Sequence, residues 1–284
     1  MGDISVVGLG LMGSALARTI SAAGHSLVVW NKTPTKTEPF AKMGAQVAAT
    51  FEDATEASPI ILMCIDSYAS SKALLQSVPA PVLLKGKTLV QLTSGVPRDA
   101  IESEKWMQAQ GAYYLDGAIL AGPGNIGTDQ GHIILSGSGA AYSNAKHVLK
   151  CLGRVEYLGS NVKASIALDL AWLSTCYGRF ISMAQGINIC QAEGVDLDKY
   201  VGLFPDRDEY SDYLRLVRDG QLDQATATLN VWHAALRHIQ QQGRDAGIST
   251  RFPDLVADYL TTSVEAGHGD QNVMSFYPLL SERT

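Results

Sequence analysis

Residues 3–33 read DISVVGLGLMGSALARTISAAGHSLVVWNKT, and this stretch decides the first half of the fold. A short apolar run, Ile4-Ser5-Val6-Val7, leads into Gly8-Leu9-Gly10-Leu11-Met12-Gly13. A helix-like segment follows to Ala23, then Gly24-His25 and a second apolar run, Leu27-Val28-Val29-Trp30. Strand, glycine turn, helix, strand is the context in which a G-x-G-x-x-G spacing carries meaning. In it Gly8 permits the tight turn, Gly10 lets the backbone approach a pyrophosphate, and Gly13 lets helix and strand pack closely. Free N–H groups and the dipole at the helix start favour phosphate there. The stretch predicts a dinucleotide site built by Gly8, Leu9, Gly10, Leu11, Met12 and Gly13.

The end of the second strand bears on which dinucleotide. An NAD-preferring site places an Asp or Glu there, on the ribose 2′-hydroxyl. Here the position is Trp30 or Asn31, followed by Lys32, Thr33 and Lys36. An acid would repel a 2′-phosphate, whereas Asn31, Lys32, Thr33 and Lys36 can bind one. The expected cofactor is NADPH.

Working outward, the alternation continues. Helical patterns at 36–43, 51–57, 68–76, 97–110 and 140–149 alternate with apolar runs at 46–48, 60–65, 88–92, 113–115, 132–135 and 155–158. Repeated units of this length predict a doubly wound parallel sheet. Ligands of such sheets lie beyond the carboxyl ends of the strands. The tips at Cys64–Ile65, Thr93–Ser94 and Asp116–Gly124 are therefore expected to line the site. Near Gly159 the rhythm changes. From Lys163 to Ala192 there is no strand pattern and no proline, and apolar residues occupy several faces. That predicts one long helix buried on most sides. Shorter helical patterns follow at 198–203, 210–217, 222–242 and 254–265. The fold class is thus α/β: an N-terminal Rossmann sheet over 1–158, then a long interdomain helix and an all-helical domain over 159–284. A helix of about thirty residues spans about 45 Å, too long for so small a domain to cover alone, so a second subunit is expected to wrap it.

With 46% hydrophobic and 18% charged residues in 284, the chain has ample material for a core. A net charge of −6 argues against general nucleic-acid binding and carries no membrane-surface signature. Cys64, Cys151, Cys176 and Cys190 lack CxxC or metal-ligand spacing and read as reduced, mostly buried residues. No segment is apolar enough to span a bilayer, and Met1 runs almost directly into the first strand. The expected location is cytoplasmic.

At this point the chain resembles a known family. GLGLMG, the LTSG ending at Gly95, the DGAILAGP stretch from Asp116, the long helix and Gly267-His268-Gly269 look like the β-hydroxyacid dehydrogenase superfamily. Within it, Trp30-Asn31-Lys32-Thr33-Pro34 is similar to the WNRT signature of imine reductases and reductive aminases. Leu115–Ile119 with Ile126-Gly127, and Asp169-Leu170-Ala171 with Tyr177-Gly178, resemble the same branch. Two absences agree. Hydroxyacid members carry a serine-glycine-glycine motif where this chain reads Leu120-Ala121-Gly122, and a catalytic lysine where it reads Leu168-Asp169-Leu170.

The resemblance implies an NADPH-dependent reduction of an imine, or of a carbonyl coupled to an amine, in a domain-swapped homodimer with shared sites. An iminium carbon is far more electrophilic than a neutral imine, so the site needs an anion near the nitrogen. Asp169, ionised near neutral pH, suits that role. Tyr177, about 80° around the helix from it, could position substrate or relay a proton. Leu120, Ala121, Trp172, Tyr210, Tyr213, Trp232 and His233 are the expected pocket residues, although packing is the more ordinary role for Tyr210, Tyr213 and Trp232, and a hydrogen-bonded core position for His233. His268 reads as a turn residue, and His233, His238 and His268 form no metal-ligand pattern; no metal is expected. Lys163 places an unusual positive charge near the cofactor's path, and Pro205–Asp212 is acidic, either a solvated run or a mouth suited to a cation. Two alternatives stand beside this reading: a hydroxyacid or aldehyde reductase, and an NADPH-binding protein without turnover.

Overall fold

The computed structural model describes residues 2–204, 209–225 and 227–281, with the side chains of Glu209 and Tyr210 excepted. The chain divides into two compact units, Met1–Asp169 and Leu170–Thr284.

The first unit contains β1 (Ile4–Val7), α1 (Leu11–Ala22), β2 (Leu27–Trp30), a 3-10 turn at Pro34–Thr37, α2 (Glu38–Lys42), β3 (Gln46–Val47), α3 (Phe51–Ala57) and β4 (Ile60–Met63). It continues with α4 (Tyr68–Gln76), α5 (Ala80–Leu83), β5 (Thr88–Gln91), α6 (Pro97–Ala109), β6 (Tyr113–Ile119), β7 (His132–Gly137), α7 (Gly139–Leu149) and β8 (Arg154–Tyr157). The eight strands form one sheet in the order β3-β2-β1-β4-β5-β6-β7-β8. The order reverses at β1, which lies between β2 and β4. Both faces are covered, which is why the central strands read as continuous apolar runs. Ile4 and Val6 face a core that includes Leu16, Ile20 and Leu149, whereas Val7 faces another that includes Leu75, Leu84 and Met107.

Two expectations need correction. The sheet is parallel only from β3 through β6; β7 pairs antiparallel to β6, Ile119 opposite Ile133, and β8 runs parallel to β7. Because an antiparallel return needs no crossover helix, β6 continues through Asp116 to Ile119 instead of ending at Leu115. Asp116 is therefore a fully buried strand residue, not part of a tip.

The helix α8 (Ala164–Ala192) begins in the first unit and continues into the second. In the second unit follow α9 (Leu197–Val201), α10 (Glu209–Arg218), α11 (Leu229–Ala246), α12 (Arg251–Ser263) and a 3-10 helix at Val273–Leu280 that the periodicity does not foreshadow. The core of this unit takes one face of α8, Cys176, Tyr177, Phe180, Met183, Ala184 and Ile187, against Leu229, Leu236, Val256 and Leu260. The helix is not buried on most sides in the single chain: Leu168 is 50% and Ile189 55% exposed, with Thr175, Arg179, Ser182 and Gln185 also open. The expected helix at 222–242 starts instead at Leu229. The backbone of Asn272 donates to Leu222 O, and Thr228 bridges to Asn272, so these residues are held by pairing outside the helix. Gly247, at φ 67°, ends α11 in the left-handed conformation that favours glycine. Only Cys176 of the four cysteines is buried; the others are half-buried, and none of the four is in a disulfide.

Candidate active site

The glycine turn sits where the strand order reverses. Gly8 has φ +95°, and a Cβ on it would lie 2.2 Å from Cys64 O at the end of β4. A Cβ on Gly13 would lie 2.0 Å from Gly8 O, so α1 packs directly on the turn. A Cβ on Gly10 would meet nothing within 4 Å. The glycine at 10 therefore serves no internal packing and leaves the backbone open to an outside group. At the start of α1 no side chain caps the free N–H groups and no acid lies in the first turn. That N-terminus suits a dianionic pyrophosphate. Leu11 is 78% exposed and Met12 half-buried, as befits residues that offer backbone to a ligand.

Asn31 braces two turns through its side chain. Its Oδ1 accepts the Leu9 N–H at 2.8 Å, and its Nδ2 donates to Thr33 O at 3.0 Å. The side chain thus ties the glycine turn to the turn after β2, and one N–H of the loop is committed to it. Lys32, Thr33 and Lys36 are exposed beside it, and neither lysine is ion-paired among the described residues. Their charges are free to meet a 2′-phosphate.

At the other strand tips, Thr93 is buried and its Oγ1 accepts the Ile65 N–H at 3.3 Å, while Ser94 is exposed. Cys64 is half-buried, and burial pushes its thiol up to about 12, so it stays a neutral, inert wall. Leu120 and Ala121 follow β6; Leu120 N–H donates to His132 O at 2.8 Å, extending the ladder by one residue.

Asp169 is the last residue of the first unit. It is half-buried, with no hydrogen bond or ion pair among the described residues, and burial raises its carboxyl to about 7. Withdrawal from water without a counter-charge penalises the anion, so Asp169 holds its proton more tightly than an ordinary carboxyl.

In the second unit the structure gathers Tyr177, Phe180, Tyr213 and Trp232 into one aromatic cluster. Ring centroids lie 5.6 Å apart for Tyr177–Trp232, 5.0 Å for Phe180–Trp232 and 5.0 Å for Phe180–Tyr213. Tyr177 is fully buried and donates its hydroxyl proton to Trp232 O at 2.6 Å. Trp232 Nε1 is itself buried without a hydrogen-bond partner among the described residues. Trp172 packs against the same core. His233 Nε2 lies 3.1 Å from Thr261 Oγ1, and burial, then the Arg237 charge, holds its pKa below the usual value, which keeps the ring neutral. Tyr210 lies on α10, but its side chain falls outside the described residues, as does much of the acidic Pro205–Asp212 run. No group of three or more His, Cys, Asp or Glu that could hold a metal ion occurs among the described residues. Nor is any described helix long and apolar enough to cross a membrane.

The family described as the NAD binding domain of 6-phosphogluconate dehydrogenase matches residues 3–163. A second, the C-terminal domain of NADPH-dependent reductive aminase-like proteins, matches residues 162–282. The NADPH-dependent reductive aminase of Aspergillus oryzae (strain ATCC 42149 / RIB 40) is 27% identical over 283 residues, 95% of this chain and 94% of that protein. The solved imine reductase from Myxococcus stipitatus in complex with NADP+ is 34% identical with a TM-score of 0.68, covering 98% of this chain and 99% of the other. The reductive aminase from Aspergillus terreus in complex with NADPH4, cyclohexanone and allyl amine is 30% identical with a TM-score of 0.67, covering 99% of each.

Proposed function

The chain belongs to the imine reductase and reductive aminase family, and from that membership we propose how its own residues serve an NADPH-dependent reduction of C=N bonds. The substrate is a small imine, or a carbonyl and an amine that condense to one. NADPH, when bound, supplies the hydride.

The backbone from Gly8 to Gly13 would hold the cofactor's pyrophosphate, and the open position at Gly10 leaves room for it. Lys32, Thr33 and Lys36 take the 2′-phosphate. Asn31 acts one step back, holding the glycine turn and the Thr33 turn in register. Cys64, Ile65, Thr93 and Ser94 border the cofactor from the neighbouring strand tips. Asp169 is the counter-charge of the iminium. The single observation that carries this role is its half-buried carboxyl, raised to about 7 with no cationic partner. A bound iminium would supply the missing positive charge, draw the carboxyl back to its ionised form and be stabilised by it. Leu120 and Ala121 after β6, and Trp172, Tyr213, Trp232 and His233 of the second unit, are the candidate residues for substrate contact. Tyr177 acts through Trp232, whose carbonyl it holds. The functional chain is a homodimer with shared sites, a reading supported by the exposed Leu168 and Ile189 on α8, and it acts in the cytoplasm.

Purified protein mixed with NADPH and 2-methyl-1-pyrroline tests the reading, with a ketone and a primary amine as a second pair. NADPH consumption with amine formation is expected. No consumption across an imine panel, together with turnover of a β-hydroxyacid, would overturn it.

A further inference from the structure

Asp116 is an acid in the middle of β6, 0% exposed, between Leu115 and Gly117. A carboxylate so placed is costly unless its oxygens are satisfied. They are, by hydroxyls from three elements. On Oδ2 the Tyr68 hydroxyl, from the first residue of α4, and the Tyr114 hydroxyl at 3.0 Å both donate. On Oδ1 the Ser165 hydroxyl donates at 3.1 Å. Ser165 lies in the first turn of α8. Its backbone N–H, an orphan donor of the helix start, is accepted by Ser136 Oγ of β7 at 3.0 Å. The two serine hydroxyls are 2.7 Å apart, and Ser136 Oγ lies 3.0 Å from Val162 O. The start of α8 is thus capped from the sheet, and the cap is anchored on Asp116.

Asp169 is four residues beyond Ser165, on the same side of the helix and about 6 Å along its axis. Tyr68, for its part, follows within a few residues of Cys64 and Ile65, the strand tip assigned to the cofactor. One carboxylate therefore holds both the segment after the cofactor-side tip and the turn that aims Asp169.

We propose that Asp116 is a positioning residue, fixing through Ser165 the first turn of α8 and with it the place of Asp169 beside the iminium. The assignment rests on Asp169 being the iminium's counter-charge. The groups that face Asp116 are Tyr68 from α4, Tyr114 from its own strand, Ser165 from α8 and, at longer range, the Asp99 charge from α6. None of them is cationic, so the hydroxyls alone hold the carboxyl in place.

The test compares Ser165→Ala and Asp116→Asn with Ser5→Ala, a buried serine of β1 that bonds to Ala54 O and Ser58 far from this cluster. Two quantities are read in the full chain: kcat for 2-methyl-1-pyrroline with the NADPH Kd alongside, and the titration midpoint of Asp169 from its carboxyl carbon resonance. Ser165→Ala is expected to lower kcat at least fivefold with the NADPH Kd unchanged. It should also move the Asp169 midpoint toward the ordinary carboxylate range, because a loosened turn admits water. Asp116→Asn should act in the same direction, and Ser5→Ala should leave both quantities alone. A midpoint and kcat unchanged in Ser165→Ala and Asp116→Asn, or shifted equally in Ser5→Ala, overturns the proposal. If the wild type reduces no imine, the functional reading fails instead, while the midpoint still reports whether Ser165 fixes Asp169. Should Ser165→Ala fail to fold, Asp116→Asn decides alone.

Discussion

The side-chain oxygen of Asn31 accepts the backbone N–H of Leu9 at 2.8 Å, so the glycine turn after β1 is braced by the residue at the end of the neighbouring strand. Asn31 and Lys32 are adjacent in sequence yet have different tasks: one shapes the loop, the other offers charge. Asn31→Ala should therefore weaken NADPH and NADH by similar factors, since both use the same turn. Lys32→Ala should weaken NADPH at least fivefold more than NADH. Titration of each variant with both nucleotides, followed by fluorescence, checks the pair. Equal losses for Lys32→Ala would remove that lysine from 2′-phosphate recognition.

Of the three glycines of the fingerprint, Gly8 and Gly13 are closely packed and Gly10 is open. Gly13→Ala drives a methyl against Gly8 O at 2.0 Å and should lower both Tm and cofactor affinity. Gly10→Ala adds a methyl to open space, so Tm should stay within about a degree or two of wild type while NADPH affinity falls at least tenfold, about 1.4 kcal/mol. Thermal melts with and without NADPH distinguish the two. A Gly10→Ala chain that binds NADPH normally would place the pyrophosphate elsewhere.

Asp169, raised to about 7 by burial, carries a pH signature in both activity and stability. The ionised form is the one that stabilises an iminium, so kcat/KM should climb as pH rises through about 7. In Asp169→Asn that acid limb should vanish, with kcat down at least tenfold and NADPH affinity kept. For stability the sign is opposite. A carboxyl whose folded pKa lies above its unfolded value near 3.8 binds its proton more tightly when folded. Its contribution is favourable at low pH and is lost as pH rises from about 4 to about 7. Asp169→Asn should accordingly raise Tm relative to wild type at pH 8 more than at pH 5. The same Tm difference at both values would contradict burial as the cause of the shift.

Tyr177 is fully buried with its proton committed to Trp232 O. Tyr177→Phe keeps the ring in the aromatic cluster and removes that bond, a loss of about 1 kcal/mol. Chemical denaturation should show a lower midpoint, and kcat should fall no more than a few-fold. A hundredfold drop in kcat at unchanged stability would instead assign the hydroxyl to proton transfer.

How much of this was legible beforehand differs by element. The fingerprint, the strand runs and the long helix follow local rules of period and turn chemistry, and Phe51–Ala57 and Tyr68–Gln76 are helices with the bounds their pattern indicates. The extension of β6 was not legible, because an antiparallel return at β7 is a choice of partner, and residues such as Gly117 and Ala118 carry no sign of it. The start of α11 at Leu229 depends on Asn272, more than forty residues away.

By itself, the sequence determined the cofactor fold, the glycine turn between β1 and α1, the acid-free end of β2 and the presence of an acid on the long helix. Each is written in residues close along the chain, where spacing translates directly into backbone geometry. The tertiary structure alone decided which groups are satisfied and which are left waiting. Asn31 is spent on Leu9, Tyr177 on Trp232, and Asp116 on the hydroxyls of Tyr68 and Ser165 from distant segments and of Tyr114 on its own strand, whereas Asp169 is half-buried and without a partner among the described residues. The physical reason is that hydrogen bonding and desolvation depend on what surrounds a group in space, and those neighbours come from anywhere in the chain.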